Sequence, residues 1–172
     1  MKILGIDPGS EVLGWGVIEG QAQKYQLTQY GVVKSSPRER FAKRLLKIAD
    51  SVGELIIQFQ PDVLSIEEAF YAVNVNVALK LGHVRGAVLV VAERAGLEIA
   101  EYAPRLIKQT VVGYGNAEKH QVQEMVRLLL KLQKVPEPHD AADALAVAIC
   151  HFHHAGMQDK IKKATAGKRR KV

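Results

Sequence analysis

Apolar residues come in short runs early in the chain and in helical steps later, and the change of period divides it into elements. Ile3, Leu4 and Ile6 form a short apolar run closed by Asp7-Pro8-Gly9. This predicts a buried strand ending in a sharp turn, because proline presets one dihedral and glycine permits positive φ. Val12 to Glu19 predicts a second strand and Tyr25 to Val33 a third, with the polar stretch Gln21 to Lys24 as the hairpin between them. Ser36-Pro37 reads as a helix start, with Ser36 as N-cap, Pro37 in the first helical position and Glu39 completing a capping box. Phe41, Leu45, Ile48, Val52, Leu55 and Ile56 then recur mostly at three- and four-residue steps, so one helical face is buried, and the helix ends before Pro61. Asp62 to Glu67 predicts a fourth strand, parallel to its neighbour because a helical crossover precedes it. The apolar residues of Asn74 to Ala95 cover more than one face, which predicts a helix buried on one side by its own core and on the other by a partner subunit. Gly82 and Gly86 would let another backbone come close. Leu97 to Tyr102 predicts a fifth strand, Arg105 to Val112 a short helix opened by Pro104, and Ala117 to Leu132 a helix capped by Asn116. Pro136 to Asp140 stops the chain and restarts it into a last helix from His139 to His154. The class is α/β: a five-stranded mixed sheet, an antiparallel meander followed by parallel strands, flanked by helices.

A length of 172 residues suits one domain. The single cysteine, Cys150, excludes an intramolecular disulfide and points to a reducing compartment. No basic segment followed by an apolar one opens the chain, and no uninterrupted apolar run spans a bilayer, so the expectation is a cytoplasmic protein with no membrane partner. The net charge of +6 invites a nucleic-acid reading, but its distribution changes the picture. Acids and bases balance up to Gly156. The whole excess lies beyond it, in Lys160, Lys162, Lys163, Lys168, Arg169, Arg170 and Lys171 against Asp159 alone. The organisation expected is one domain over 1–156 and a basic, unfolded tail over 157–172. Such a tail can contact phosphates or merely keep the chain soluble, and the high pI is no evidence that the folded body binds nucleic acid.

Two predicted strands end in carboxylates. Asp7 closes the first, where an acid is costly to bury unless a cation or donor meets it, although Asp before Pro-Gly is also ordinary turn chemistry. Glu67 closes the fourth in the same way, while Glu68 reads as a solvated strand end. Neighbouring strands that deliver acids to one sheet edge suit a metal site. Asp140 and Asp143 stand three apart on one face of the last helix, among the small Ala141, Ala142 and Ala144. The helix dipole alone accounts for Asp140; Asp143, inside a run that is otherwise apolar to Ile149, calls for a specific partner. Four acids together raise one another's pKa unless cations neutralise them. All-oxygen donors select Mg²⁺ or Mn²⁺ over zinc, and two such ions can clamp a phosphodiester, one activating water and one stabilising the leaving oxygen. Lys108, Lys119 and the amides between Gly113 and Lys119 can meet phosphates, though two merely solvated lysines would look the same. Meander, helix, acid-ended strand and a final helix with acids is the order of an RNase H-like nuclease.

Gly5-Ile-Asp-Pro-Gly-Ser10, Ile66-Glu67, Ala78-Leu-Lys-Leu-Gly82, Lys108-Gln-Thr-Val-Val-Gly113 and Asp140-Ala-Ala-Asp-Ala-Leu-Ala146 stand in one order along the chain. Up to about His154 the sequence resembles the bacterial crossover junction endodeoxyribonuclease RuvC family, the Holliday-junction resolvases. The resemblance implies an RNase H-like fold, a homodimer, and Mg²⁺-dependent cutting of two opposed strands of a four-way DNA junction in recombination and repair, with two Mg²⁺ ions per site and Mn²⁺ able to substitute. It implies Asp7, Glu67, Asp140 and Asp143 as metal ligands and Lys108 and Lys119 as catalytic cations near the scissile phosphate. It also implies Phe70 as an aromatic that contacts junction bases, which fits stacking. Some relatives place a histidine in the last-helix ligand set; here His139 is taken as a neighbour of the ligand Asp140. His151, His153 and His154 have no counterpart in the resemblance and are expected to favour the helix end rather than bind metal. A dimer matches the twofold symmetry of a junction, and the RuvA–RuvB branch-migration complex is an implied partner. Two other readings are weaker. An actin- or sugar-kinase-type ATPase opens on a similar Gly-x-Asp strand but needs two such subdomains. A non-catalytic junction-binding protein would be expected to have lost an acid, and all four are present.

Overall fold

The computed structural model describes the backbone of residues 1–21, 24–68 and 74–169, and side chains up to residue 156. The elements run β1 (Lys2–Asp7), β2 (Val12–Gln21), β3 (Lys24–Lys34), α1 (Phe41–Phe59), β4 (Val63–Glu67), α2 (Val75–Arg94), β5 (Glu98–Tyr102), α3 (Pro104–Val112), α4 (Lys119–Leu129) and α5 (His139–Arg169). The sheet has the order β3-β2-β1-β4-β5. β1 and β3 pair antiparallel with β2, and β4 runs parallel to both β1 and β5. This is the mixed sheet expected from the meander and the crossover.

The alternation of side chains along each strand decides where the acids go. Leu4 and Ile6 of β1 pack with Val52 and Ile56 of α1 and with Val84 and Val88 of α2. Ile3 packs on the opposite face, with Leu145 and Ile149 of α5 and Val122 and Val126 of α4. A period of two therefore sends Asp7 to the α5 face. β4 repeats the pattern: Leu64 and Ile66 face α1 and α2. The Ser65 hydroxyl donates to the Val147 carbonyl of α5 at 3.2 Å, and Glu67 follows to that same side.

α5 lies directly on β1 and β2 because those strands present glycine where it crosses. A Cβ on Gly5 would overlap the carbonyl oxygen of Ala144, and one on Gly14 the carbonyl oxygen of Asp140. Gly14 is also the register partner of Asp7. The missing side chain thus lets the first turn of α5, with its acids, settle over Asp7. Ala141, Ala142, Ala144, Leu145 and Ile149 are fully buried, so this helix is held by its own apolar stripe.

Several boundaries differ from expectation, most of all at helix ends. α1 opens at Phe41 behind Arg40, not at Ser36-Pro37. The Glu39 N–H donates to the Ser36 carbonyl at 3.0 Å, closing a separate turn, and Glu39 pairs with Lys43 at 3.1 Å instead of capping. The helix begins where its apolar stripe begins. α4 opens at Lys119 rather than Ala117, with the Gln121 side chain accepting from the Glu118 N–H at 2.9 Å, so Asn116 is not its cap. It also stops at Leu129, short of Leu132. α5 does not end at His154 but continues to Arg169, taking in most of the segment expected to be an unfolded tail.

α2 meets its expectation on one side. Asn74 caps it by accepting from the Asn76 N–H at 2.9 Å, and Val84, Val88 and Ala92 are buried. On the other side Val75, Val77, Leu79 and Val90 are exposed, Val75 by 70%. A Cβ on Gly82 or Gly86 would touch nothing. Among the described residues α2 is the one helix long and apolar enough by composition to cross a membrane, although Lys80, His83 and Arg85 interrupt it and its inner face packs on α1 and β5.

Candidate active site

Asp7 and Glu67 end adjacent parallel strands, and the register Ile6↔Ile66 puts them at the same level. Neighbouring strands are only about 4.8 Å apart, so the two carboxyls are forced together. Asp140 and Asp143 come down on them from the first turns of α5. All four acids are half-buried. Lys119, at the start of α4, reaches across to Asp143, with Nζ 2.7 Å from Oδ2. Lys108 of α3 lies alongside. Together Glu67, Asp143, Lys108 and Lys119 rim a cavity of about 180 Å³ with an apolar lining that includes Ile107, Val122 and Val147.

The titration behaviour follows from this crowding. Burial, then the charges of Glu67, Asp143 and Asp140, push the Asp7 carboxyl up to about 8, and Lys119 only partly offsets them. Glu67 is also raised, first by burial and then by Asp143; a hydrogen bond with Asp7 and the two lysines pull the other way. The pair behaves as two carboxyls sharing one proton. Lys119 is raised chiefly by its hydrogen bond to Asp143. The site holds more negative charge than its lysines neutralise, and its donors are all oxygen.

That donor set fits a hard divalent cation. Among the described residues no three His, Cys, Asp or Glu side chains close around one point, and Asp143 turns to Lys119. Mg²⁺-class ions ask for less, taking one or two carboxylates and completing their shell with water and substrate phosphate oxygens. Asp7 and Glu67, fixed at strand ends, and Asp140 and Asp143, fixed on a buried helix, can supply those carboxylates.

The family model described as crossover junction endodeoxyribonuclease RuvC matches residues 3–151, almost the whole folded body. The chain belongs to this family. The RuvC of Colwellia psychrerythraea is 54% identical over 152 residues, covering 88% of this chain and 86% of that one. The RuvC of Alkaliphilus metalliredigens is 44% identical over 162 residues, covering 94% and 99%. Among solved structures, T. thermophilus RuvC in complex with Holliday junction substrate is 40% identical and superposes with a TM-score of 0.87, covering 92% of this chain and 96% of that one. The fold is therefore RNase H-like, as in RuvC, and a RuvC-family nuclease carries an expectation of divalent-metal dependence.

Several other expected residues fall outside the acid cluster. Phe70 lies outside the described residues. Glu68 contributes its backbone, the N–H donating to the Tyr102 carbonyl at 2.9 Å. His139 opens α5 and is exposed. The three histidines further along α5 do not end the helix. They tie it to three other elements: Tyr25 of β3 meets His153 at 3.1 Å, Tyr102 of β5 meets His151 at 2.9 Å, and Thr110 of α3 meets His154 at 3.3 Å. Burial lowers the pKa of His151 and His153, so neutral imidazoles suit these contacts. A larger cavity of about 560 Å³ lies at the other end of β1, lined by Lys2, Glu19, Lys24 and Asp62 among others; none of the four candidate acids borders it. Sequence reasoning missed Gly14, whose role shows only once Asp140 is seen above it.

Proposed function

We propose that this chain is a structure-specific endonuclease that resolves four-way (Holliday) DNA junctions by two symmetric, metal-dependent phosphodiester hydrolyses. The observation that carries the reading is the convergence of Asp7 and Glu67 with Asp140 and Asp143, in surroundings that raise Asp7 to about 8. A site built so is poorly stable with all its acids ionised and is relieved by cations. RuvC relatives of matching length supply the substrate class.

Asp7, Glu67, Asp140 and Asp143 would hold two Mg²⁺ ions, with Mn²⁺ able to substitute. When bound, such ions neutralise the phosphodiester, activate water and stabilise the leaving oxygen. The protein's own part is placement. Strand ends and a buried helix keep the carboxylates from rotating away from one another. Lys119 holds the Asp143 carboxylate in one orientation. Lys108, on the cavity rim, presents an ammonium to a substrate phosphate. Phe70 is proposed to stack on a junction base.

The exposed apolar face of α2 is proposed as the homodimer surface, giving two sites related by the symmetry of a junction. The RuvA–RuvB branch-migration complex is the partner that the resemblance implies, and the cytoplasm the compartment. The test is cleavage of a synthetic four-way junction beside a linear duplex of the same arms, with Mg²⁺ and with chelator. Paired nicks in the junction alone, and only with Mg²⁺, support the reading; equal cutting of both substrates would contradict the structural specificity.

A further inference from the structure

Arg44 is the one arginine of the described residues that is nearly fully buried, 5% exposed, and among those residues no carboxylate lies within ion-pair distance of it. An unpaired guanidinium in such a place is costly unless hydrogen bonds replace its lost water. It finds them in the turn that follows Asp7. From the first turns of α1 the guanidinium donates to the Ser10 carbonyl, and its Nε donates to the Ser35 hydroxyl at 3.2 Å. That hydroxyl in turn donates to the same Ser10 carbonyl at 2.9 Å. The Ser35 N–H donates to the Glu11 carbonyl at 2.8 Å. The guanidinium carbon lies over the Phe41 ring, 5.8 Å from its centre, and Phe41 meets His83 of α2 edge-on at 5.8 Å.

The Ser10 carbonyl is therefore clamped by two donors, from α1 and from the end of β3, three residues after Asp7. Pro8 removes one of the few dihedrals between them, and a Cβ on Gly9 would overlap the Val12 carbonyl oxygen, so the turn is tight as well as held. Asp7 needs such a hold. Glu67, Asp140 and Asp143 all repel it once it ionises, and a free turn would let it swing out of the cluster.

We propose that Arg44, with Ser35, is a positioning residue that locks the Asp7–Ser10 turn and thereby holds Asp7 ready for the cation. The proposal rests on the metal-dependent reading of the site. A lysine cannot replace the arginine, because a single ammonium does not present a planar fork to a hydroxyl and a carbonyl at once.

The test compares wild type with Arg44→Lys, Arg44→Met and Ser35→Ala in two measurements that do not depend on cleavage. The first is amide hydrogen exchange of Gly9 to Glu11 in metal-free protein. The second is Mn²⁺ binding, followed by the loss of the free-ion electron paramagnetic resonance signal. The expected result is faster exchange confined to the turn and Mn²⁺ affinity weaker by roughly 10-fold, the size typical of removing a group that orients a metal ligand. Arg44→Lys should resemble Arg44→Met rather than wild type. If the Arg44 variants do not fold, Ser35→Ala decides alone, since it deletes only one hydroxyl. Unchanged exchange in the turn, or faster exchange with unchanged Mn²⁺ affinity, would overturn the proposal. Wild type that bound no Mn²⁺ would instead sink the metal reading, and this proposal with it.

Discussion

Asp7 is the most perturbed of the four proposed metal ligands, and its cost to the metal-free protein is measurable. Its native pKa of about 8 stands above the ordinary 3.8. Below the ordinary value both native and unfolded chains hold the proton. As pH rises from about 4 to about 8 the unfolded chain releases it while the native chain keeps it, so stability falls through that window and levels off above it. Asp7→Asn removes this dependence. Thermal melts in chelator should find the variant more stable than wild type at pH 8 by about 1–3 kcal/mol, with the gap shrinking toward pH 4. A gap independent of pH would contradict the assignment. Lys119 tests the opposite charge. It grips Asp143 at 2.7 Å, so Lys119→Met should slow junction cleavage by about 10–100-fold while junction binding holds nearly constant, because a proposed ligand carboxylate loses its orientation. Equal losses in binding and cleavage would instead make Lys119 a plain phosphate contact.

At the scale of elements, the site exists because α5 sits on glycine. Gly14→Ala would thrust a methyl group into the Asp140 carbonyl oxygen. The helix must then lift, at a cost of about 1–3 kcal/mol by the usual penalty for overpacking, and cleavage should fall by more than the lost folded fraction explains. Denaturant melts beside cleavage rates check both parts; full activity would show that α5 has slack. Much of this level was legible in the chain. The apolar runs of β1 and β4 and the acids that close them stood out because strand ends and turn residues are local signals. Asp143 stood out as an acid in an apolar helix. The starts of α1 and α4 were not legible in the same way, unlike those at Asn74, Pro104 and His139: Ser36-Pro37 satisfies an isolated turn as well as a helix cap, and Glu118 is a weak cap by type, made effective by Gln121. Arg44 was invisible, because a charged side chain beside apolar neighbours reads as the solvent face of a helix until the Ser10 carbonyl is seen opposite it. The histidines of α5 were misread for a related reason, since Tyr25, Tyr102 and Thr110, which they meet, come from distant parts of the chain.

At the scale of the whole molecule, α2 carries an apolar inner face and an apolar outer one. Val75, Val77, Leu79 and Val90 are exposed in the protomer, and α2 runs for 20 residues. Covering that face is worth more than leaving it in water at about 25 cal/mol per Å², and a second copy of the chain is the occupant proposed. Leu79→Glu should convert a dimer into a monomer in sedimentation at micromolar concentration, and should leave single nicks where wild type makes pairs. A variant that still sediments as a dimer would move the interface elsewhere. The site and the dimer meet in one assay, cleavage of a four-way junction by wild type and Asp7→Asn, beside junction binding in chelator. On the proposed reading, binding draws on phosphate contacts away from the acids, whereas cutting needs the cation that Asp7 is proposed to hold. Wild type with Mg²⁺ should make paired symmetric nicks and Asp7→Asn none, while both bind the junction equally. Cutting by Asp7→Asn at the wild-type rate, or no cutting by wild type with any divalent cation, would contradict it.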